Sequence, residues 1–359
     1  MDETDIRDEW IGSRWHELPV LMLSCKSQGG VRSMLDALKF CLIRKVAGLF
    51  AVATLVVGGA SLAKAQVVPG TGEKMAEIGD DFEDANWSYV PNLPKSSNNI
   101  DKQVRYPSGM SNNNRWFESL LRGQPDIVER VETPEGGLPN SKAAMKLRSV
   151  QTGIPGAPSY KMQQDDFIMN GNNRFGGTIP AMWTPNAVAR IYLPTFDQWE
   201  KRTGSSFGFR IETLTHVMKP VTDRKLFKKI GKTKQLDQAW PGMFLQLNSK
   251  TDGQNKEDTA VFVIRADQYG QDFVAGPVIK ETGWWTLGMT LSPDGRVLYY
   301  ATKGTGPLKP SDHIATSMPY GEPNLQMNTL FFNVMSADNG RTWSTEWIVD
   351  DVEVFFLRR

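Results

Sequence analysis

The chain has 359 residues, 40% of them hydrophobic and 23% charged, with a formal net charge of +1 and two cysteines. That balance excludes a disordered chain and a disulfide scaffold, and it disfavours a general nucleic-acid or membrane-surface role. The length allows one or two domains.

The first 33 residues are acidic through Asp2, Glu3, Asp5, Asp8, Glu9 and Glu17. That is the wrong sign for the start of an export signal, so residues 1–33 read as a misassigned start or extension, with Met34 as the true start and Met22 as second choice. Lys39 to Lys45 is basic, Val46 to Val57 is uncharged and apolar, and Ala63-Lys64-Ala65 fits the small-residue pattern cut by signal peptidase. Residues 34–65 therefore read as a secretory signal cleaved before Gln66, which sends the mature chain to the periplasm, cell envelope or medium. The apolar run is too short for a membrane anchor, which needs roughly 20 apolar residues. Cys25 and Cys41 both precede the cut, so the mature chain has no cysteine and must rest on its own core. Cleavage removes eight Lys/Arg and seven Asp/Glu, leaving 33 of each.

In the mature chain, residues 66–79 read as a Gly- and Val-containing linker and residues 80–359 as the folded domain. Asp80 to Glu83 leads to Trp87-Ser88-Tyr89-Val90 as an opening strand, and Pro91 to Asn114, dominated by Pro, Ser and Asn, reads as a long surface loop closed by Arg115-Trp116-Phe117-Glu118. Ala143 to Ser149 alternates apolar with charged residues, a strand wet on one face. Gly153 to Gly177 reads as loop, with an acidic pair at Asp165-Asp166. Val188 to Leu193, Phe207 to Thr215, Met243 to Leu247 and Thr259 to Ala266 show period-two patterning, and no stretch sustains a helical period. Between Lys219 and Lys234, seven Lys/Arg face one acid, Asp223. This basic run reads either as a solvated connection or as an attractor of anionic polymers.

From Gly283 onward the pattern is clearest. Trp285, Leu287, Met289 and Leu291 share one face, Ser292-Pro293-Asp294-Gly295 turns, and Val297 to Tyr300 resumes. A second hairpin is read from Thr329 to Met335, a turn at Ala337-Asp338-Asn339-Gly340, and a last strand through Ile348 to Phe356. The class is all-β, an antiparallel two-sheet sandwich.

Asp81-Phe82-Glu83, Trp87, the Trp284-Trp285 hairpin with Pro293-Asp294-Gly295, and the closing Val349-Asp350-Asp351-Val352 resemble secreted bacterial jelly-roll domains of the concanavalin A-like lectin/glucanase superfamily. The resemblance implies a two-sheet jelly roll whose first and last strands lie side by side. It also implies a structural Ca²⁺ shared by Glu83 and Asp350 or Asp351, since that ion wants clustered hard oxygen ligands.

Ser336 to Trp343 resembles the Asp-box hairpin of sialidases, but it occurs once, where a propeller would repeat it. Its Asp338 is expected to bond turn amides above a packed Trp343. Catalytic support is thin: the mature chain offers only His216 and His313, and Asp351-Val352-Glu353 lacks the first glutamate of a glucanase strand. Polysaccharide lyases on related jelly rolls use Arg, His, Tyr and Gln, for which Arg265, Tyr299, Tyr300 and His313 are of suitable type. Aromatic residues give the better lead, because an indole covers the apolar face of a sugar while a neighbouring polar group takes its hydroxyls. The expected glycan-binding set is Arg115, Trp116, Trp240, Arg265, Trp284, Trp285 and Tyr299, with Trp284 and Trp285 pointing to opposite faces. The expected function is polysaccharide binding, favouring anionic polymers. The alternatives are a lyase or glycoside hydrolase on the same fold, and an envelope structural protein.

Overall fold

A computed structural model describes residues 66–171, 174, 178–223 and 228–358. The proposed signal of residues 34–65, both cysteines, and Arg224 and Lys225 of the basic run lie outside the described residues.

Alternating apolar residues need a surface to cover them, and two antiparallel sheets supply it for each other. The smaller sheet runs β17 (His313–Ser317), β16 (Val297–Lys303), β15 (Gly283–Leu291), β9 (Asn186–Leu193), β19 (Trp347–Phe356), β6 (Ala143–Arg148) and β5 (Ile127–Glu132), with β1 (Glu73–Asp80) also on β19. The larger runs β14 (Phe273–Ile279), β13 (Thr259–Arg265), β12 (Gly242–Asn248), β10 (Ser206–Asp223), β18 (Asn324–Ser336), β7 (Gln163–Met169), β4 (Trp116–Glu118), β3 (Met110–Ser111) and β2 (Tyr89–Val90). To it are added β11 (Lys228–Ala239) on β10 and β8 (Ile179–Pro180) on β18.

The core fills the space between the sheets. Phe207, Phe209, Leu245, Phe262 and Phe332 face Met145, Ile191, Leu287, Met289 and Val349. An aromatic seam runs through it: Trp116 stacks on Phe167 at 5.0 Å, Phe207 on Phe332 at 5.4 Å, and Phe207 meets Trp347 of the other sheet at 5.2 Å.

Four features differ from the sequence reading. Residues 66–79 are not a linker: Thr290 donates to the Val67 carbonyl, the Gly70 amide donates to Asn186, and Glu73–Asp80 pairs with the last strand. Its charged residues hide the pattern because β1 is an edge strand exposed over much of its length. The Asp165-Asp166 pair lies in strand β7, not in a loop, because each carboxylate finds a distant partner. Thr329–Met335 and Ile348–Phe356 do not form a hairpin: β18 and β19 belong to different sheets, and the residues between them cross from one to the other. The basic run is neither loop nor helix. It is a ribbon in which β10 and β11 remain paired from Thr213↔Ala239 to Asp223↔Lys228, whereas β18 stops pairing with β10 at Thr215↔Asn324.

Candidate functional site

Because strand side chains alternate, the residues between inward Phe207, Phe209 and Ile211 point away from the core: Ser206, Gly208, Arg210 and Glu212. Strand register extends this into rows across the outer face of the larger sheet. One row is Arg265, Gly242, Arg210, Phe331 and Ile168; the next is Val263, Phe244, Gly208, Asn333 and Asp166. The two glycines make room within it. A Cβ at Gly208 would lie 2.6 Å from the Phe244 ring and 2.8 Å from Asn333 Oδ1, and one at Gly242 would lie 2.4 Å from Arg210 Cγ.

Arg210 is the centre. Its guanidinium lies 5.0 Å from the Phe331 ring and 5.5 Å from Phe244, an arrangement favourable for cation–π attraction. It donates to the Trp240 carbonyl through Nη2 at 2.6 Å and Nε at 3.1 Å, and to Asn333 Oδ1 at 3.4 Å. Asn333 in turn donates to Asp166 Oδ1 at 2.5 Å, which also accepts from Gln164 at 2.9 Å. Burial, with the charge of Arg265 beside it, pulls the Arg210 pKa down to about 9, so it remains a cation at neutral pH. Burial pushes Asp166 upward, opposed by Arg122 and Arg210. Glu212 extends the polar belt by accepting from Asn328 at 2.9 Å and Gln238 at 3.2 Å. The floor is sheltered, with Arg210 5% exposed and Asn333 not at all, while Gln164, Glu212 and Gln246 are half-buried.

Where β14 comes close to β17 of the other sheet, a cavity of about 500 Å³ is lined by Asp267, Gln268, Phe273, Arg296, Thr316, Ser317 and Met318.

Of the expected glycan-binding residues, Arg265 and Trp240 come to the Arg210 rows. Arg265 stands on the same row, 4.0 Å from Asp272, and Trp240 supplies its carbonyl. The others are placed elsewhere. Trp116 is fully buried in the aromatic seam, so it offers no face to a sugar. Tyr299 is fully buried too, reaching the Arg265 carbonyl with its hydroxyl at 3.2 Å. Trp284 and Trp285 do point to opposite faces, but both are covered: Trp285 packs on Phe262, and Trp284 packs on Tyr192 and donates to the Pro134 carbonyl at 3.2 Å. Arg115 is half-buried and donates to the Gly79 carbonyl at 2.5 Å. Of the lyase set, Tyr299 touches only the backbone of Arg265, and His313 packs on Tyr300 in the smaller sheet.

The terminal strands pair as expected, Asp80 opposite Val352. Even so, Glu83, Asp350 and Asp351 make no cage. Glu83 Oε1 accepts the Lys142 and Ala143 amides at 2.7 and 3.2 Å, and Asp350 accepts from Ser141 Oγ and the Asp351 amide at 2.7 and 2.8 Å. Among the described residues, no group of three or more His, Cys, Asp or Glu converges to hold a metal. In the Asp-box-like segment Asp338 does bond a turn amide, that of Gly340 at 2.7 Å, but Trp343 is 46% exposed rather than packed beneath, with Arg148 4.7 Å above its ring.

No protein-family model matches the chain, and no curated protein matches it. Solved structures do. A GH131 β-glucanase catalytic domain from Podospora anserina is 12% identical with a TM-score of 0.38, covering 79% of this chain and 96% of its own. A carbohydrate esterase from the Shiga toxin-encoding bacteriophage phi24B is 9% identical with a TM-score of 0.37, covering 74% and 97%. A legume lectin-like domain from Entamoeba histolytica is 8% identical with a TM-score of 0.34, covering 68% and 91%. Identities and scores of this size say nothing of activity, and the fold rests on its own strand pairing: two antiparallel sheets with first and last strands side by side.

The fold is an antiparallel two-sheet jelly roll.

In this jelly roll, sequence reasoning missed Arg210, Asn333 and Asp166, which come from three strands far apart in the chain and share no local motif. It also missed Asp80. One signal was present, an arginine at an outward position of a strongly alternating strand. Among the described residues no helix is long and apolar enough to cross a membrane.

Proposed function

We propose that this jelly roll binds a polysaccharide across the outer face of its larger sheet. The observation that carries the reading is the Arg210 arrangement: a guanidinium, an amide and a carboxylate set in register between two phenylalanine rings on the face turned away from the core. The Phe331 and Phe244 rings are as covered as Trp284 and serve to hold Arg210 in place, so the hydroxyls of a sugar would be met at the edge of this arrangement, by half-buried Gln164, Glu212 and Gln246. The half-buried amides of Gln164 and Gln246 form the reachable rim.

The charges favour an uncharged polymer. Asp166 and Asp272 offset Arg210 and Arg265, and on the ribbon Lys219 pairs with Asp237 at 3.6 Å and Lys234 with Glu322 at 3.1 Å. Binding without turnover is the expected behaviour, because neither histidine stands beside Arg210: His216 sits on the ribbon and His313 in the other sheet.

The test is retention on a panel of immobilised polysaccharides, followed by titration of Gln164→Ala and Gln246→Ala. Each variant is expected to keep its melting temperature and to bind roughly tenfold more weakly, a change of about 1.4 kcal/mol. Retention by no polysaccharide, or undiminished binding by both variants, removes the reading. Release of unsaturated oligosaccharides from a uronate polymer would give the face to a lyase.

A further inference from the structure

At the end of β18, three residues beyond Asn333, the segment after β9 meets the crossover between β18 and β19. Glu200 lies here with its side chain wholly buried, beside Ser336 and Asp338, each 1% exposed. The Glu200 amide donates to Thr345 Oγ1 at 3.0 Å and fastens the two segments together. Neither Glu200 oxygen accepts a well-formed hydrogen bond, the Ser336 hydroxyl and the Ala337 amide being its neighbouring donors, and Asp338 Oδ2 and Ser336 Oγ lack well-formed partners too. Asp338 spends only its other oxygen, on the Gly340 amide.

Four buried oxygens without well-formed partners in one place are costly, since burying an acceptor unsatisfied forfeits its hydration. Arg202 does not cancel them. Its Nη1 is 3.6 Å from Glu200 Oε1 and its Nη2 donates to Thr342 at 2.8 Å, so one guanidinium stands against two carboxylates. Burial pushes Glu200 up to about 7, opposed by the Ser336 hydroxyl, Arg202 and the Ala337 amide and helped by the neighbouring charge of Asp338.

We propose that Glu200, Asp338 and Ser336 hold a Ca²⁺-class cation that pins the β18–β19 crossover to the segment after β9. Two carboxylates and a hydroxyl, with no nitrogen or sulfur among them, form a hard-oxygen donor set that suits Ca²⁺ over transition metals. The site is separate from Glu83 and Asp350, which accept from the Lys142 and Ala143 amides and from Ser141 and the Asp351 amide. It stands independently of the glycan reading.

The experiment uses the purified chain stripped with a chelator, then titrated with CaCl₂ in thermal melts and with Tb³⁺ in luminescence. Trp199, next in sequence and 4.9 Å from Trp347, sensitises the lanthanide. The expected result is a melting temperature that rises with Ca²⁺ by mass action, Tb³⁺ emission displaced by Ca²⁺, and loss of both in Glu200→Gln, with affinity weaker by roughly tenfold or more. Glu83→Gln keeps both responses. Should Glu200→Gln fail to fold, Asp338→Asn is read in its place. No Ca²⁺ response in the parent chain overturns the proposal and leaves a water or a shared proton between the carboxylates; so does a response lost in Glu83→Gln but kept in Glu200→Gln.

Discussion

Asp80 receives the Trp87 indole at 3.1 Å, the Trp116 indole at 3.0 Å, the Asn113 amide at 2.8 Å and the Phe82 backbone amide at 3.2 Å. One carboxylate thus closes the hydrogen bonding of two buried tryptophans. Asp80→Ala leaves those donors unsatisfied, each costing about 1 to 3 kcal/mol, so urea denaturation is expected to show a loss of about 3 kcal/mol or more. Asp80→Asn keeps an acceptor and loses less. The sequence Asp80-Asp81 does not say which acid turns inward. Just before it the chain lies tight against β19: Gly79 adopts φ 92°, and a Cβ there would sit 2.0 Å from the Val352 carbonyl. Asp350 gives a second expectation at this scale. Burial, with Asp351 and Glu83 nearby, pushes its pKa to about 7, above the 3.8 of an unfolded aspartate. The folded state therefore binds the extra proton between those values, and its stability falls as pH rises from about 4 to about 7. Asp350→Asn cannot titrate, so the stability difference between variant and parent should shift in the variant's favour across that window and level off above it. A difference flat from pH 4 to 8 in paired melts would refute this.

At the scale of elements, what could be read locally was read. The strands Ala143–Arg148, Asn186–Leu193, Gly242–Asn248, Thr259–Arg265 and Gly283–Leu291 each carry alternating residues that need only a generic apolar partner. Strand β7 escaped because its polar residues are satisfied by particular distant groups. Asp165 accepts from Lys95 at 2.5 Å and Ser149 at 2.6 Å, and Asp166 takes Asn333. No window of sequence contains those partners. The Asn339-Gly340 turn signal was likewise real, since Gly340 has φ 72°, but a turn does not say whether the next strand returns to its own sheet. The β10–β11 ribbon shows the opposite case, a long local pairing that contributes little to the core. Joining Val217 to Gln235 through Asn-Gly should leave cooperative unfolding intact, with a change within about 1 kcal/mol in denaturant titration. A molten or unfolded product would show that the ribbon belongs to the folding unit.

For the whole molecule, the sequence supplied the fold class and the adjacency of first and last strands, while the Arg210 face needed three-dimensional register across five strands. The export reading also belongs here. Cleavage before Gln66 leaves Val67, Gly70 and all of β1 in place, and each makes contacts the smaller sheet uses. Mass spectrometry of material from the culture medium should therefore find a chain beginning at Gln66. A start beyond Glu73, within β1, would contradict both the cleavage site and the pairing.

Strand β19 lies in the middle of the smaller sheet, with β9 on one side and β6 and β1 on the other. It also comes after every other described strand in the chain. Until it emerges, β15, β16, β17 and β9 form one fragment and β5 with β6 another, and each presents an open edge with nothing to close it. The nascent chain therefore cannot complete its sheet step by step during synthesis, and a chain cut before Trp347 would lose the centre of the smaller sheet. A sheet whose latest strand is its keystone stays in two pieces until that strand arrives.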